Sequence, residues 1–268
     1  MSRMADPEYL RNEQYRDATN LNARIQLHAR FSVNRYGWHR WLFDQLRLPR
    51  ECRILELGCG PGDLWLQNLA RMSPGWRITL SDLTPGMVRQ AVASLSGQAH
   101  PFYFALIDAQ AIPVPDASCD VVIANHMLYH VAERARALAE MQRVLRRGGR
   151  FYASTVGQTH LRELWELVGR VDPALPSRAS DVTNPFTLES GHDQVGQWFA
   201  EVSVARYEDA LVVPEAEPLL AYILSGEASS LDAAQREHLA RLVRRQLDEQ
   251  GAIRIHKDSG LFAAVRAG

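Results

Sequence analysis

Short apolar segments alternate with amphipathic segments through the middle of the chain. The apolar segments have the length and composition of buried strands, and they lie at 53–57, 77–81, 102–107, 120–124 and 149–156. The segments between them carry apolar residues at helical spacing and predict helices at 63–72, 85–94 and 134–145. Strands that alternate with helices of this length form βαβ units, so a parallel sheet with helices on both faces is expected.

The two ends of the chain have a more helical pattern. Residues 1 to about 50 place apolar side chains such as Leu21, Ile25 and Phe31 at roughly helical spacing, which predicts a helical cap. Towards the C-terminus the pattern predicts helices at 160–171, 215–224 and 232–249 and strands near 202–213 and 260–265.

These elements predict a single α/β domain with a Rossmann-like, seven-stranded, mostly parallel sheet. We divide it into a helical cap (1–50), a cofactor-binding core (51–156), and a third part (157–268) that holds substrate-pocket helices and the last strands of the same sheet. The helices after Val213 are predicted to be an insertion between the last two strands.

Composition narrows the class of protein. The 268 residues include 30 Lys and Arg against 31 Asp and Glu, and this balance disfavours a protein that grips nucleic acid through its phosphates. The first twenty residues contain no apolar signal region, and no run approaches the ~20 apolar residues of a membrane span. Three cysteines without CxxC spacing, Cys52, Cys59 and Cys119, indicate reduced thiols. A cytoplasmic protein without a membrane segment is therefore expected.

The strongest chemical signal is a glycine-rich loop directly after the first predicted strand. The run from Ile54 to Gly62 reads ILELGCGPG, and glycine permits the backbone to turn sharply or to approach a ligand closely. Asp63 stands where the dinucleotide-binding fingerprint has its third glycine. An acidic residue at this helix start opposes a pyrophosphate but tolerates a cationic ligand. S-adenosylmethionine carries a sulfonium and an ammonium group and no phosphate, so the loop favours that cofactor.

Acidic residues also end the second and third predicted strands. Asp82 follows the glycines by about 20 residues, where a carboxylate accepts hydrogen bonds from ribose hydroxyls. Asp108, next to the backbone N–H of Ala109, offers the acceptor and donor that match the edge of adenine. Each feature alone is also explained by a turn or a solvated strand end. Because they follow three successive strands in order, together they predict a nucleoside site.

These three features resemble those of a known family, the class I S-adenosylmethionine-dependent methyltransferases. The run from Glu56 to Gly62 is similar to the family's motif I, Asp82 to its acidic ribose ligand, and Asp108 with Ala109 to its adenine-contacting motif.

Two further runs extend the resemblance. Residues 112–122 resemble the family's P-F-x-D-x-S-F-D run before the fourth strand, and 140–149 resemble the E-x-x-R-V-L-K-P-G-G run before the fifth. Cys119 and Val114 stand where phenylalanine is common, and neither position is a cofactor contact. The resemblance covers roughly 50–156 and is closest to the ubiquinone-biosynthesis-like branch, which implies a small-molecule methyl acceptor.

The resemblance also implies which residues hold S-adenosylmethionine. It places Asn125 near the methionine moiety, through its backbone carbonyl. Independently of the resemblance, Arg24 in the helical cap is a candidate to pair with the cofactor carboxylate, and a solvated helix face is the preferred explanation for it. The predicted cofactor-binding residues are Glu56, Gly58, Cys59, Gly60, Gly62, Asp82, Leu83, Asp108, Ala109, Asn125, Arg24 and Tyr15.

Catalysis of methyl transfer rests mainly on alignment, because the cofactor already carries the activated methyl group. A base is needed only where the acceptor loses a proton. His126 and His130 are four residues apart and would share a face if their segment is helical, so either is a candidate base. The alternative is that both are packing residues at the mouth of the sheet. Trp38 and Trp41 are interpreted as core residues. No HExxH pattern or ligating cysteine accompanies the histidines, so no metal is predicted.

Three other functions compete with a small-molecule methyltransferase. A nicotinamide-dependent Rossmann oxidoreductase is disfavoured by the GxGxG spacing and by Asp63. An RNA or protein methyltransferase is disfavoured by the neutral charge and by the absence of an Asn/Asp-Pro-Pro-Tyr-type run after the fourth strand. A cofactor-binding module without catalysis would have the same cofactor contacts as an enzyme, so only a measurement of turnover distinguishes the two. The prediction is a monomeric or homodimeric enzyme that methylates a small molecule.

Overall fold

A computed structural model describes residues 26–175 and 185–268. Its sheet has seven strands: β1 (Glu51–Leu57), β2 (Gly75–Asp82), β3 (Phe102–Leu106), β4 (Cys119–Asn125), β5 (Leu145–Val156), β6 (Ala200–Val213) and β7 (Ile253–Val265). Their order in the sheet is β3-β2-β1-β4-β5-β7-β6. Strands β1 to β5 run parallel, β7 is antiparallel to β5, and β6 is antiparallel to β7. The predicted α/β fold with a mostly parallel, seven-stranded sheet is confirmed.

Helices cover both faces of this sheet. In the described ranges a helical segment at 26–31 comes first, and the α-helices after it are α1 (Trp38–Gln45), α2 (Asp63–Leu66), α3 (Pro85–Leu95), α4 (Arg134–Val144), α5 (Arg162–Val171), α6 (Gly191–Gly196), α7 (Ala216–Leu224) and α8 (Ala233–Gln250). Helix α3 begins as its sequence predicts, with Thr84 accepting a hydrogen bond from Met87 N and Pro85 in the first turn.

Alternate residues of the central strands supply two hydrophobic cores, one on each face of the sheet. On β4, Val121 and Ile123 pack on the face covered by α1 and α3, whereas Val122 and Ala124 pack on the face covered by α4. This arrangement follows from the period of two in strand side chains, and it explains why four consecutive residues of β4, at 121–124, are all apolar and buried.

A third core joins the N-terminal residues to the C-terminal helices. Leu27 and Phe31, from a helical segment at 26–31, pack with residues of α5, α7 and α8. Helices α7 and α8 lie between β6 and β7 in the chain, as the predicted insertion requires. Within the described parts of the chain, no helix is both long enough and apolar enough to cross a membrane.

The helix predicted at 63–72 is wrong in its second half. The α-helix ends at Leu66, and a separate 3-10 turn follows at Leu69–Arg71. Between them, the Asn68 amide donates to Leu64 O at 2.7 Å and to His39 O at 3.1 Å. An asparagine that bonds the backbone in this way competes with helix continuation, which explains the interruption.

The final strand is longer than the predicted 260–265. It begins at Ile253, because all of its N-terminal half pairs with β6, from Val213 opposite Ile253 onward. This half was not predicted because it contains the polar run HKDS at 256–259, and polar residues rarely indicate a buried strand. The difference matters because part of this run reaches the candidate site.

Candidate active site

A cavity of about 640 Å³ opens along the carboxyl ends of the parallel strands. Its size falls in the range of small-molecule sites, roughly 300–1,000 Å³. The wall combines the loop after β1, the ends of β2 and β3, the segment after β4, part of β7 and several residues between 28 and 39. This is the edge at which open α/β sheets bind ligands.

The three glycines of the loop serve different purposes. All have positive φ, at +68° for Gly58, +54° for Gly60 and +86° for Gly62. A Cβ atom on Gly58 would lie 2.7 Å from Met127 Cβ, and one on Gly62 would lie 2.7 Å from Leu95 Cδ1. A Cβ atom on Gly60 would meet no described atom within 4 Å, and Gly60 lines the cavity. The loop therefore leaves a cradle at Gly60 that suits a ligand lying against bare backbone.

Asp82 is held at the cavity wall by the loop and by the start of α3. Its Oδ2 accepts a hydrogen bond from Gly60 N at 3.2 Å, and its Oδ1 accepts from Thr84 N and Thr84 Oγ1, both at 2.9 Å. Burial raises the pKa of Asp82, and these hydrogen bonds oppose the rise. A carboxylate has about four acceptor positions and three are used here, so one remains for a ribose hydroxyl. Leu83 lies beside it on the same wall.

Replacing Asp82 with alanine is expected to weaken S-adenosylmethionine binding about tenfold or more. The reason is that hydrogen bonds to a charged group contribute roughly 1.5–3 kcal/mol each, and about 1.4 kcal/mol is a factor of ten. Titration calorimetry on Asp82→Ala checks this, with Asp193→Ala as the matched control because that side chain is 92% exposed. Unchanged affinity in Asp82→Ala would remove Asp82 from the site.

Asp108 and Ala109 lie at the far end of the same wall. Asp108 Oδ1 accepts hydrogen bonds from Gln110 N at 2.9 Å and Gln110 Nε2 at 3.0 Å, and Gln110 itself lines the cavity. These bonds fix the orientation of the carboxylate. The structure thus brings together the end of β2 and the loop after β3, in the order that a nucleoside site requires.

Glu56 lies behind the loop and does not line the cavity. It is 1% exposed, and Trp65 Nε1 donates to its Oε2 at 2.5 Å. Burial raises the pKa of Glu56 to about 8, and the nearby charges of Asp82 and Asp63 add to the rise. Gly62, against Leu95, also lies behind the wall. Glu56 and Gly62 are therefore not among the residues that line the cavity, and the cofactor contacts predicted for them stay predictions.

Changing Glu56 to glutamine is expected to remove a pH-dependent loss of stability. With a folded pKa of about 8 against a usual 4.5, Glu56 stays protonated in the folded protein while it ionises in the unfolded chain. Stability of the wild type therefore falls as pH rises from 4.5 to about 8, relative to Glu56→Gln. Urea unfolding at several pH values measures this difference. Glu51→Gln, at an exposed position on the same strand, is the control, and a pH-independent difference for Glu56→Gln would contradict the assignment.

The side chain of Asn125, at the end of β4, forms hydrogen bonds with a residue of β5 and a residue of α1. Its Oδ1 accepts hydrogen bonds from Ser154 Oγ at 2.6 Å and from Trp38 Nε1 at 3.3 Å. These two hydrogen bonds engage the side-chain oxygen of Asn125. Trp38 packs against the hydrophobic core on this face of the sheet, as interpreted from the sequence, and it also lines the cavity.

His126 and His130 both line the cavity, but they do not share an α-helical face. His126 has φ +52°, and the turn that follows is a 3-10 helix at Leu128–His130. The two histidines were expected to share a face only if their segment formed an α-helix, and it does not. The His126 ring packs against the Trp38 ring with centroids 4.8 Å apart, and the His130 ring meets the Tyr129 ring edge-on at 4.5 Å.

Three polar residues of the cavity wall were not predicted from the sequence. His160, Lys257 and Ser259 line the cavity, and the last two come from the half of β7 that was not predicted. The predicted contacts Arg24 and Tyr15 lie outside the described residues. Throughout 26–175 and 185–268, no cluster of three or more His, Cys, Asp or Glu residues is arranged to hold a metal ion.

Comparisons with known proteins agree with this geometry. Residues 55–153 match a family model described as a methyltransferase domain. The chain is 36% identical over 120 residues to a malonyl-[acyl-carrier protein] O-methyltransferase from Hahella chejuensis, covering 44% of this chain and 42% of that one. It is 34% identical over 117 residues to a demethylmenaquinone methyltransferase from Symbiobacterium thermophilum, covering 42% and 46%. The chain thus spans less than half the length of these two curated relatives.

Solved structures share the fold at low sequence identity. The YcgJ protein from Bacillus subtilis aligns with a TM-score of 0.60 and 17% identity, over 86% of this chain and 98% of that one. Phosphoethanolamine N-methyltransferase 2 from Haemonchus contortus aligns with a TM-score of 0.60 and 17% identity, over 99% of this chain and 60% of that one.

The strand order, the glycine loop and the family match together define the class. Residues 55–153 form a class I S-adenosylmethionine-dependent methyltransferase domain, as the sequence predicts. Within that class, the similarity to the malonyl-[acyl-carrier protein] O-methyltransferase above and to a C-methyltransferase of ubiquinone and menaquinone biosynthesis covers less than half of the chain. The nicotinamide-dependent alternative is not favoured.

Proposed function

We propose that this protein transfers the methyl group of S-adenosylmethionine to a small-molecule acceptor bound in the same cavity. One observation carries the proposal: a single cavity is lined by Asp82, which ends β2, by Asp108, which follows β3, by His130, which follows β4, and by Lys257 on β7. A cofactor and an acceptor bound at the two ends would meet near the end of β4. The methyltransferase relatives support this reaction class.

In this proposal the cofactor lies over the ends of β1, β2 and β3. Asp82 accepts hydrogen bonds from the ribose, Asp108 and Ala109 bind adenine, and the Gly60 backbone lies against the methionine portion. The Asn125 carbonyl faces the same portion. When bound, the cofactor supplies a methyl group on a sulfonium, which departs as a neutral thioether. The protein's contribution is to align that methyl group with the acceptor and to exclude water.

The three parts of the chain have separate roles in this scheme. Residues 51–156 bind the cofactor, and 157–268 form the acceptor side of the cavity with the cap. Two features support the role of the cap. Trp38 Nε1 donates to Asn125 Oδ1 at 3.3 Å, and Val33 N donates to Ala210 O at 2.9 Å. The cap thereby bridges the end of β4 and the strand β6.

We assign proton removal from the acceptor to His130 rather than to His126. The His126 ring packs on Trp38, and its backbone N–H donates to Ser154 Oγ at 2.9 Å, so it forms part of the wall. His130 lies at the end of the 3-10 turn, half-buried, and lines the cavity. A histidine in this position can accept a proton from a hydroxyl or an acidic carbon.

Turnover on a panel of acceptors tests the function. The protein is incubated with methyl-labelled S-adenosylmethionine and with separate pools of carboxylic acids, phenols, amines and RNA. The expected result is formation of S-adenosylhomocysteine with label in one of the small-molecule pools. Label in the RNA pool alone would refute a small-molecule acceptor. Gly60→Val protein, treated identically, gives the background.

A further inference from the structure

A buried ion pair joins β6 and β7 beside the cavity. Lys257 Nζ lies 2.5 Å from Asp209 Oδ2, and the two side chains are 9% and 0% exposed. The two residues are directly opposite each other in the antiparallel register. Removing two charges from water costs about as much free energy as their attraction returns. A gain in stability therefore does not explain why the protein has this ion pair.

The Asp209 carboxylate is fully engaged by donors around it. Its Oδ2 accepts from Lys257 Nζ and from Ser32 Oγ, and its Oδ1 accepts from Asn34 N at 2.9 Å and Ala210 N at 2.8 Å. These donors hold the pKa of Asp209 below its usual value even though burial raises it. Asp209 is therefore an ionised anchor that fixes the position of the lysine.

Lys257 is less completely engaged than its partner. Among the described residues, Asp209 is the hydrogen-bond partner of its Nζ, and an ammonium group has three N–H donors. Lys257 lines the cavity, whereas Asp209 lies behind the wall. Two N–H donors are therefore left for a ligand. In a buried setting, an ammonium donor is stabilised best by a negatively charged oxygen.

The sheet places Lys257 on the acceptor side of the cavity. Ser259 pairs with Val156 at the carboxyl end of β5, and Lys257 lies two residues beyond that point on β7. Four strand spacings separate β7 from β2, where Asp82 lies, which is roughly 19 Å at about 4.8 Å per strand. Lys257 is thus remote from the predicted ribose contact.

We propose that Lys257 donates hydrogen bonds to an oxyanion of the methyl acceptor, a carboxylate or a phenolate, and so selects acceptors that carry one. This inference rests on the proposed function, because it assigns the acceptor to this end of the cavity. Lys257 contacts the substrate, and Asp209 is the positioning residue that directs it.

Binding of matched anionic and neutral probes tests this selection. Protein saturated with S-adenosylhomocysteine is titrated by calorimetry with 4-nitrobenzoate against 4-nitrobenzamide, and with 4-nitrophenol against 4-nitroanisole. We expect the wild type to bind at least one anion tenfold or more tightly than its neutral counterpart. Lys257→Met should lose that preference, and Lys257→Arg should keep most of it. The probe that shows the preference distinguishes a carboxylate acceptor from a phenolate acceptor.

The matched control is Arg254→Met. Arg254 is an exposed cation on the same strand, outside the cavity wall, so this variant loses the same charge and should behave as the wild type. The visible absorption of 4-nitrophenol provides a second measurement, because binding beside an ammonium favours its ionised form. Wild type should increase the phenolate absorption and Lys257→Met should not. Equal preference for anions in wild type and Lys257→Met, or no preference in the wild type, overturns the proposal.

Two further measurements cover a variant that does not fold and a protein that does not bind the cofactor product. If Lys257→Met does not fold, the double variant Asp209→Asn/Lys257→Met replaces it, because it removes both buried charges, and it should show the same loss. Affinity for S-adenosylhomocysteine is recorded for every variant. A wild type that does not bind S-adenosylhomocysteine refutes the proposed function, while the anion preference of the unliganded protein still decides the role of Lys257.

Discussion

Replacing Gly60 with valine is expected to abolish S-adenosylmethionine binding while leaving the protein folded. The structure leaves open cavity where a Cβ atom on Gly60 would lie, so valine meets no described protein atom there. It would instead occupy the cradle in which the methionine portion is proposed to lie. Calorimetric titration with S-adenosylmethionine checks the loss, and circular dichroism checks the fold.

Gly97→Val is the matched control for this substitution. Gly97 also has a positive φ, +88°, and also has no described atom within 4 Å of a Cβ position, but it lies outside the cavity wall. Each valine carries backbone strain of roughly 1–3 kcal/mol, so both variants should lose similar stability. Only Gly60→Val should lose the cofactor. A folded Gly60→Val protein with normal affinity would show that the loop does not hold it.

Replacing His130 with alanine is expected to lower kcat by about two to four orders of magnitude, the usual effect of removing a general base. Affinity for S-adenosylmethionine should stay unchanged, because the role proposed for His130 is to remove a proton from the acceptor. The wild-type rate should fall at acidic pH, where a histidine base is protonated, and the variant should lack this dependence. Single-turnover rates across pH at saturating cofactor measure both effects.

His126→Ala separates proton removal from cavity shape. His126 is the same residue type on the same wall, with its ring packed on Trp38, so its loss should affect acceptor KM more than kcat. Parallel pH profiles and similar maximal rates for wild type and His130→Ala would refute the base assignment. A larger fall in kcat for His126→Ala than for His130→Ala would transfer the role to His126.

The cofactor half of the protein was predictable because its signals are local in sequence. The glycine loop follows one strand directly, and Asp82 and Asp108 follow the next two, so strand order alone brings them to one edge of the sheet. The central strands β1 and β4 are buried on both faces, which makes each a short apolar run that sequence patterns detect. The errors within this half have local causes, such as the Asn68 amide that interrupts the predicted helix.

The acceptor half was less predictable because it depends on contacts between distant residues. Lys257 reaches the cavity through pairing with β6, and its partner Asp209 is 48 residues away in the chain. Trp38 reaches the cavity through Asn125, which is 87 residues away. The pattern of apolar residues within one segment does not indicate which distant residue that segment will contact. The spacing of His126 and His130 suggested a helix, but the chain leaves β4 through a positive φ and a 3-10 turn.

Calorimetric titration of the wild-type protein with S-adenosylmethionine and, in a separate experiment, with NADH tests the central claim most directly. The loop offers a bare-backbone cradle at Gly60, an acidic residue at the following helix start and a carboxylate at Asp82, which together suit a cationic nucleoside. The account predicts saturable one-to-one binding of S-adenosylmethionine, weakened about tenfold or more in Asp82→Ala, and no binding of NADH. Tight binding of NADH without binding of S-adenosylmethionine would contradict it.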